Sequence, residues 1–235
     1  RRFQASDCGP IVRAIQDPVH LVALEALGLL GNPCPVAAAA SDVLWPIVDS
    51  LAGGQRRDFI GIVSWHRGAT ALLALARVDP VRARLVLSRA GASPVWQVRM
   101  YAARAAGVIG DPGRLLTLGE DSHDNVREAA VAGLLRVQGH AADSIFREDL
   151  ARTDYQLIIS AAKALAGTPH HAAATAALLT ALDRISADQN DTSRDPRLAV
   201  LERLDDLGTP ASADALEPYL FDFDPAVAER AARIL

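Results

Sequence analysis

The stretch SPVWQVRMYAARAAGVIGDP, residues 93–112, decides the fold that we predict for this chain. Its opening Ser-Pro pair is typical of a helix N-cap followed by proline in the first turn, where the missing N–H costs nothing. The anchor Val98 and the alanines four, seven and eight positions later form one apolar stripe of an α-helix. Gly110 and the proline two positions later indicate where the helix ends. The stretch therefore predicts a helix whose small side chains, Ala102 among them, lie buried against a second helix.

The same sequence pattern, which we call the phrase, recurs along the chain and predicts a repeat protein. Copies begin near residues 17, 93, 126, 157, 199 and 224. The anchors Val98, Val126 and Leu157 are 28 and 31 residues apart, which leaves room for one second helix and two tight turns in each repeat. A pair of helices cannot bury its apolar face alone, so the copies must stack. We therefore expect an all-α fold of about six stacked helix pairs with no strand pairing, and Ala130 buried in the same way as Ala102.

Residues 34–92 match the phrase poorly and form an irregular segment within the predicted domain. Their apolar spacing still predicts helices over 35–51, 58–77 and 80–90, with Pro46 expected to kink or split the first. We expect one continuous domain over residues 1–235. The chain starts Arg1-Arg2-Phe3 without methionine and ends within a helical pattern, so we interpret it as a piece of a longer protein.

Composition excludes several classes of protein. Half of the 235 residues are apolar and the net charge is -4, so disorder is excluded, and no apolar run is long enough to span a bilayer. Cys8 and Cys34 lack the spacing of a metal site; we expect two buried thiols, with a single disulfide left open. His170 and His171 point about 100° apart on a helix and do not converge on one ion. The sequence contains no catalytic motif, so we predict no catalytic residue, no cofactor and no metal ligand.

The segment from Val98 to Pro112 and the string from Val126 to Ala130 resemble the HEAT repeat family, in particular the short bacterial form also found in phycobilisome lyase-like proteins. The resemblance is strongest over residues 93–170. It implies a right-handed α-solenoid, a superhelix of antiparallel helix pairs that usually serves as a scaffold for other proteins. Residues 191–197 and 222–225 also resemble the HEAT regions attached to bacterial cyclophilin-type prolyl isomerases.

Basic residues are concentrated in the middle of the chain. Residues 67–110 contain seven arginines and one acid. Arg99 and Arg127 each follow their anchor directly, and Arg104 and Lys163 each lie six positions after theirs, so stacking would align the four as a basic stripe on the concave face. Arginine binds carboxylates through two parallel hydrogen bonds, which favours an acidic partner. Trp96, in the first turn before Val98, is a further candidate partner-binding residue because exposed tryptophan often anchors interfaces.

These features favour a non-catalytic scaffold that binds a protein or peptide on the concave face of the solenoid. Two alternatives stay open. The chain could be the accessory, substrate-binding domain of a larger bacterial enzyme, a cyclophilin-type prolyl isomerase fusion, which the flanking sequence would decide. It could also bind nucleic acid through its arginine-rich middle, which the net charge of -4 disfavours because phosphate contacts dominate such affinity.

Overall fold

The computed structural model describes residues 8–31, 38–52, 65–187, 189–208 and 214–235. Within these ranges the chain forms thirteen α-helices and three short 3-10 helices, and no strand. The predicted absence of strands therefore holds in the described residues, where the one trace of strand pairing is an isolated β-bridge at Leu30.

The chain divides into two compact units, Arg1–Leu118 and Gly119–Leu235. The helices of the first unit are α1 (Gly9–Ala14), α2 (His20–Leu29), α3 (Ala38–Ala52), α4 (His66–Val78), α5 (Pro80–Gly91), α6 (Trp96–Ile109) and α7 (Pro112–Gly119), which ends at the boundary. Those of the second are α8 (Asp124–Gln138), α9 (Asp143–Asp149), α10 (Tyr155–Ala164), α11 (His171–Ala187), α12 (Arg194–Leu207) and α13 (Pro225–Ile234). The 3-10 helices are Gly139–Ala142, Asp191–Ser193 and Glu217–Phe221.

Each copy of the repeated phrase forms one helix of a row. In the first unit α2, α4 and α6 pack side by side, while α3 and α5 pack on each other and on α4. In the second unit α8, α10, α12 and α13 form the row, and α9 and α11 pack on each other, α9 also on α10 and α11 on α12. The anchors Val98, Val126 and Leu157 are buried, and Ala102 and Ala130 are completely inaccessible, as predicted. Small side chains at these contacts allow neighbouring helices of a row to approach closely.

The helices of the rows begin slightly later than the sequence predicts. Ser93 and Asp17 are not N-caps: the Ser93 hydroxyl accepts from the Val95 N–H at 3.2 Å, and the Asp17 carboxylate accepts from Val19 at 2.8 Å. In each of these turns a side-chain oxygen accepts a hydrogen bond from the backbone N–H two residues later. The same oxygen cannot then cap the helix as predicted. The helices α6 and α2 consequently start at Trp96 and His20. Asp224 behaves as predicted, because its carboxylate caps α13.

The segment predicted to be irregular contains regular helices. The helix α3 runs from Ala38 to Ala52 with Pro46 inside it, so the helix is not split there, and a kink at Pro46 stays a prediction. Proline removes one hydrogen bond to the carbonyl four residues back, and both Pro46 and Asp42 are exposed, so water can satisfy that carbonyl. The start of the helix predicted over 58–77 lies outside the described residues, and its later part is α4. The prediction of one continuous domain stays a prediction.

The environment of Cys8 corrects the expectation of two buried thiols. Cys8 is buried, as predicted, but it is disulfide-bonded. The sequence contains one other cysteine, Cys34, which lies outside the described residues. The described helices also include none that combines the length and apolar character needed to cross a membrane.

Candidate functional site

Four ring side chains and one arginine form a continuous line in the first unit, which we call the aromatic row: His20, Trp65, His66, Tyr101 and Arg104. The rings of Trp65 and His66 stack with centroids 3.8 Å apart, and His20 meets His66 edge-on at 6.2 Å. The Trp65 ring also lies 6.0 Å from the Tyr101 ring at a tilt of 53°. The Arg104 guanidinium carbon lies 5.1 Å from the centre of the Tyr101 ring.

The row crosses three neighbouring helices, at the N-terminal ends of two of them and in the middle of the third. His20 and His66 are the first residues of α2 and α4, and Trp65 caps α4. Tyr101 and Arg104 are three residues apart in α6 and therefore share a helix face. Since α2, α4 and α6 pack side by side, these side chains meet across the row.

The aromatic row is open to solvent. His20, His66 and Arg104 are exposed, and Trp65 and Tyr101 are half-buried. Within the described part of the chain, no side-chain hydrogen bond or ion pair is made by any of the five, so the Trp65 indole N–H and the Tyr101 hydroxyl keep their hydrogen-bonding capacity. Ring faces bind planar or apolar groups, and their polar edges orient a ligand. The row can therefore bind an extended ligand by stacking and hydrogen bonding.

The arginine excess of residues 67–110 has a mainly structural use. Six of the seven arginines donate hydrogen bonds to oxygen atoms of this chain. Arg67, Arg77, Arg84 and Arg99 bind backbone carbonyls, and Arg82 and Arg89 bind the carboxylates of Asp42 and Asp49. Arg104, by contrast, is exposed and contacts only the Tyr101 ring. Of the seven, Arg104 alone makes no contact with an oxygen atom of the described residues.

The predicted four-residue basic stripe is not available to a partner as a whole. Arg127 is buried, and its Nε atom donates to the Asp149 carboxylate at 2.5 Å. Arg99 is half-buried, and its Nη1 atom donates to the Ser93 carbonyl at 2.9 Å. The position directly after the anchor lies only about 100° around the helix from the apolar stripe, so a long side chain there turns back into the protein. The prediction that Arg127 contacts a partner is therefore wrong.

The remaining predicted residues differ in their surroundings. Arg104 and Lys163 are exposed, as their position six residues after the anchor suggests, and they belong to different units. Trp96 is half-buried at the start of α6 and makes further contacts within the protein. A role of Arg104, Lys163 and Trp96 in partner binding stays a prediction.

The sequence analysis missed His20, Trp65, His66 and Tyr101. One sequence signal could have found His20 and His66. The helices α2, α4 and α6 each begin with a residue that carries a ring, and these residues are His20, His66 and Trp96. For α2 and α6 the signal was hidden because the expected N-caps placed the helix starts two residues too early. Trp65 and His66 also lay in the segment that was expected to be irregular.

A second surface lies between α1 and α2, where an apolar cavity of about 580 Å³ opens to solvent. Among the described residues that line it, Glu25 is the one charged residue, and Leu21, three-quarters exposed, is the most accessible apolar side chain. The other lining residues are Pro10, Ile11, Ala14, Val22, Ala26 and Leu29.

Buried charged side chains in the second unit bind other side chains of the same unit. Arg197 is completely inaccessible, donates to the Asp222 carboxylate at 2.5 Å and lies 4.4 Å from the centre of the Phe223 ring. The Arg194 guanidinium hydrogen-bonds to Asp224 and holds the pKa of that carboxyl below its usual value. The described residues contain no group of three or more histidine, cysteine, aspartate or glutamate side chains arranged to hold a metal ion.

Comparisons with known proteins bear on the fold. Neither a family model nor a curated protein matches the sequence. The complex of CpcE and CpcF of the phycocyanin lyase from Nostoc sp. PCC7120 is similar in structure, with a TM-score of 0.53 at 16% identity over 100% of this chain and 88% of that chain. The Escherichia coli protein YibA has a TM-score of 0.58 at 17% identity over 97% of this chain and 80% of that chain. At these identities the likeness shows the fold alone, and it confirms the predicted fold class: the chain is an all-α solenoid of HEAT-like helical repeats.

Proposed function

We propose that this chain is a non-catalytic scaffold that binds a protein or peptide along the aromatic row of its first unit. The observation that carries the proposal is the row itself: stacked, solvent-accessible rings on three neighbouring helices, with no hydrogen-bond partner among the described residues. Tryptophan and tyrosine dominate the binding energy of many protein interfaces because they bury large area at little cost in side-chain entropy.

Two further observations support a protein or peptide over other partners. The similar solved structure from Nostoc is a complex of two proteins, which is consistent with a fold that presents binding surfaces. Nucleic-acid binding through the arginine-rich middle loses support because six of its seven arginines already bind oxygen atoms of this chain. Such binding needs several basic side chains directed at phosphates.

The test is selection of binders from a random dodecapeptide phage library on the immobilised full chain at 50 mM NaCl. Synthetic peptides of the enriched sequences are then titrated against the wild type and two variants, Trp65→Ala and His66→Ala. We expect each variant to weaken binding by at least about tenfold, because truncating an aromatic anchor typically costs 1–2 kcal/mol or more. His66 is exposed, so its truncation leaves the packing beneath it intact.

The matched control is Phe221→Ala. Phe221 is 88% exposed and lies in the second unit, outside the row. Its removal should leave peptide affinity unchanged, and thermal melting followed by circular dichroism should show that all three variants are folded. Enrichment of no sequence, or equal affinity of all variants, would reject the aromatic row as the binding surface.

A further inference from the structure

We infer that the ligand of the aromatic row is an extended peptide segment in which an aspartate or glutamate lies two residues from a proline or aromatic residue, with the carboxylate bound by Arg104. The inference rests on the proposed function and adds the chemistry of the partner. It follows from the positive charge of Arg104, from the absence of acidic residues in the row, and from the distances between the members of the row.

Arg104 supplies the charge selectivity. The other six arginines of residues 67–110 donate to carbonyl or carboxylate oxygens. The Arg104 guanidinium lies over the face of Tyr101 and makes no hydrogen bond or ion pair with a described residue. Arg104 is also exposed. A guanidinium in this setting binds a carboxylate through two parallel hydrogen bonds. No described acidic side chain forms an ion pair with it, so a partner's carboxylate meets no internal competitor.

The distances favour one spacing in the ligand. The Tyr101 ring lies 6.0 Å from the Trp65 ring and 5.1 Å from the Arg104 guanidinium, so it contributes to both contacts. In an extended peptide, side chains two residues apart point to the same side and are separated by about 6.6 Å. A ring packed against Trp65 and Tyr101 therefore places the side chain two residues away at Arg104. Proline and aromatic rings both suit such a surface, since extended proline-containing segments dock on aromatic side chains.

The row itself contributes no competing negative charge. Its other members are two histidines, a tryptophan and a tyrosine, which present ring faces and hydrogen-bond donors. Binding of the acidic segment should weaken with salt, because the Debye length falls from about 10 Å at 0.1 M to about 3 Å at 1 M.

The experiment uses the peptides enriched on the full chain. Each is synthesised in two forms, with its acidic residue intact or replaced by the corresponding amide, and both are titrated against wild type, Arg104→Gln and the control Arg136→Gln. Arg136 is exposed in α8 and makes no described side-chain contact, so it matches Arg104 in charge alone. We expect the amide peptide and the Arg104→Gln variant each to lose at least about tenfold in affinity, and the two changes together to lose no more than either alone.

The outcomes separate this inference from the proposed function. Two results would overturn the inference and leave the scaffold proposal standing. The enriched peptides could lack the acidic residue, or they could bind Arg104→Gln as tightly as wild type while binding Trp65→Ala more weakly. Absence of any enriched peptide would reject both. Equal losses for Arg104→Gln and Arg136→Gln would show a response to net charge, and would also overturn the assignment of the carboxylate to Arg104.

Discussion

Arg127 and Arg104 show how the surroundings of a single residue decide its role. Both are basic side chains on helices of the repeat rows, and the sequence places both on one binding stripe. In the structure Arg127 is buried against the Asp149 carboxylate, whereas Arg104 is exposed over a tyrosine ring. Loss of one partner of the buried pair Arg127–Asp149 would leave an uncompensated buried charge, which destabilises a folded protein.

Enlarging Ala102 should destabilise the protein. Ala102 is completely inaccessible in α6, so Ala102→Leu must overpack the contact between neighbouring helices, at a cost of about 1–3 kcal/mol. Urea denaturation followed by circular dichroism measures the loss. Ala132→Leu, the same change at an exposed position of α8, is the control and should stay within about 0.5 kcal/mol of wild type. Equal stability of the two variants would contradict the close packing of α6.

Asp149 should make the protein relatively more stable in mild acid. Burial raises the pKa of Asp149 to about 6, although the Arg127 guanidinium beside it acts in the opposite direction. The folded state therefore binds a proton more readily than the unfolded state, so the contribution of this residue to stability falls as the pH rises through 6. The free energy of unfolding of wild type, relative to Asp149→Asn, should increase by about 1–3 kcal/mol between pH 7 and pH 4.5.

The same comparison with Glu202→Gln is the control for this pH effect. Glu202 is exposed in α12 and forms no ion pair with a described residue, so this comparison should not show the increase. A wild type that loses stability relative to Asp149→Asn on acidification would mean that the Asp149 carboxyl is charged and well stabilised in the folded protein.

At the scale of the elements, arginine side chains complete the ends of helices. The last four carbonyls of a helix have no partner inside it, and a long side chain with several N–H donors can reach them from a neighbouring helix. This occurs in both units: the donors are Arg67, Arg77, Arg84, Arg184 and Arg203, and the acceptors are the carbonyls of Ile15, Gly28, Ile109, Leu150 and Ala162. These five arginines therefore have a structural use in satisfying carbonyls at helix ends.

Removing one of these buried caps should cost stability. The Arg203 Nε atom donates to the Ala162 carbonyl at 2.9 Å in a buried position. Arg203→Met keeps most of the side-chain volume but leaves that carbonyl without its donor, at an expected cost of about 1–3 kcal/mol in urea denaturation. The exposed residue Arg136 provides the control, since Arg136→Met should be nearly neutral. A neutral Arg203→Met would show that water replaces the guanidinium at the end of α10.

At the scale of the whole molecule, stability should vary with position along the repeats. Each repeat contacts only its neighbours, so terminal helices have fewer partners than central ones. The helix α4 packs on α2, α3, α5 and α6, whereas α1 packs on α2 and α3, and α13 packs on α12 and the adjacent 3-10 helix.

Hydrogen exchange measured by mass spectrometry tests this gradient. Amides of α4 and α10 should exchange most slowly within their units, and amides of α1 and α13 should exchange fastest, because local opening of an end helix breaks fewer buried contacts. Uniform protection across all helices would instead indicate that the chain unfolds as one cooperative body.

The sequence by itself determined the all-α fold, the helices of the rows and the burial of Ala102 and Ala130, because these depend on local periodicity and on small residues at fixed spacing. Only the tertiary structure decided which charged and aromatic side chains reach solvent. The aromatic row joins Trp65 to Tyr101, which are 36 positions apart, and Arg127 is withdrawn from the surface by Asp149, a residue of another helix. Such pairings depend on how neighbouring helices stack, and the repeat pattern constrains which helices are neighbours without specifying which long side chains meet between them.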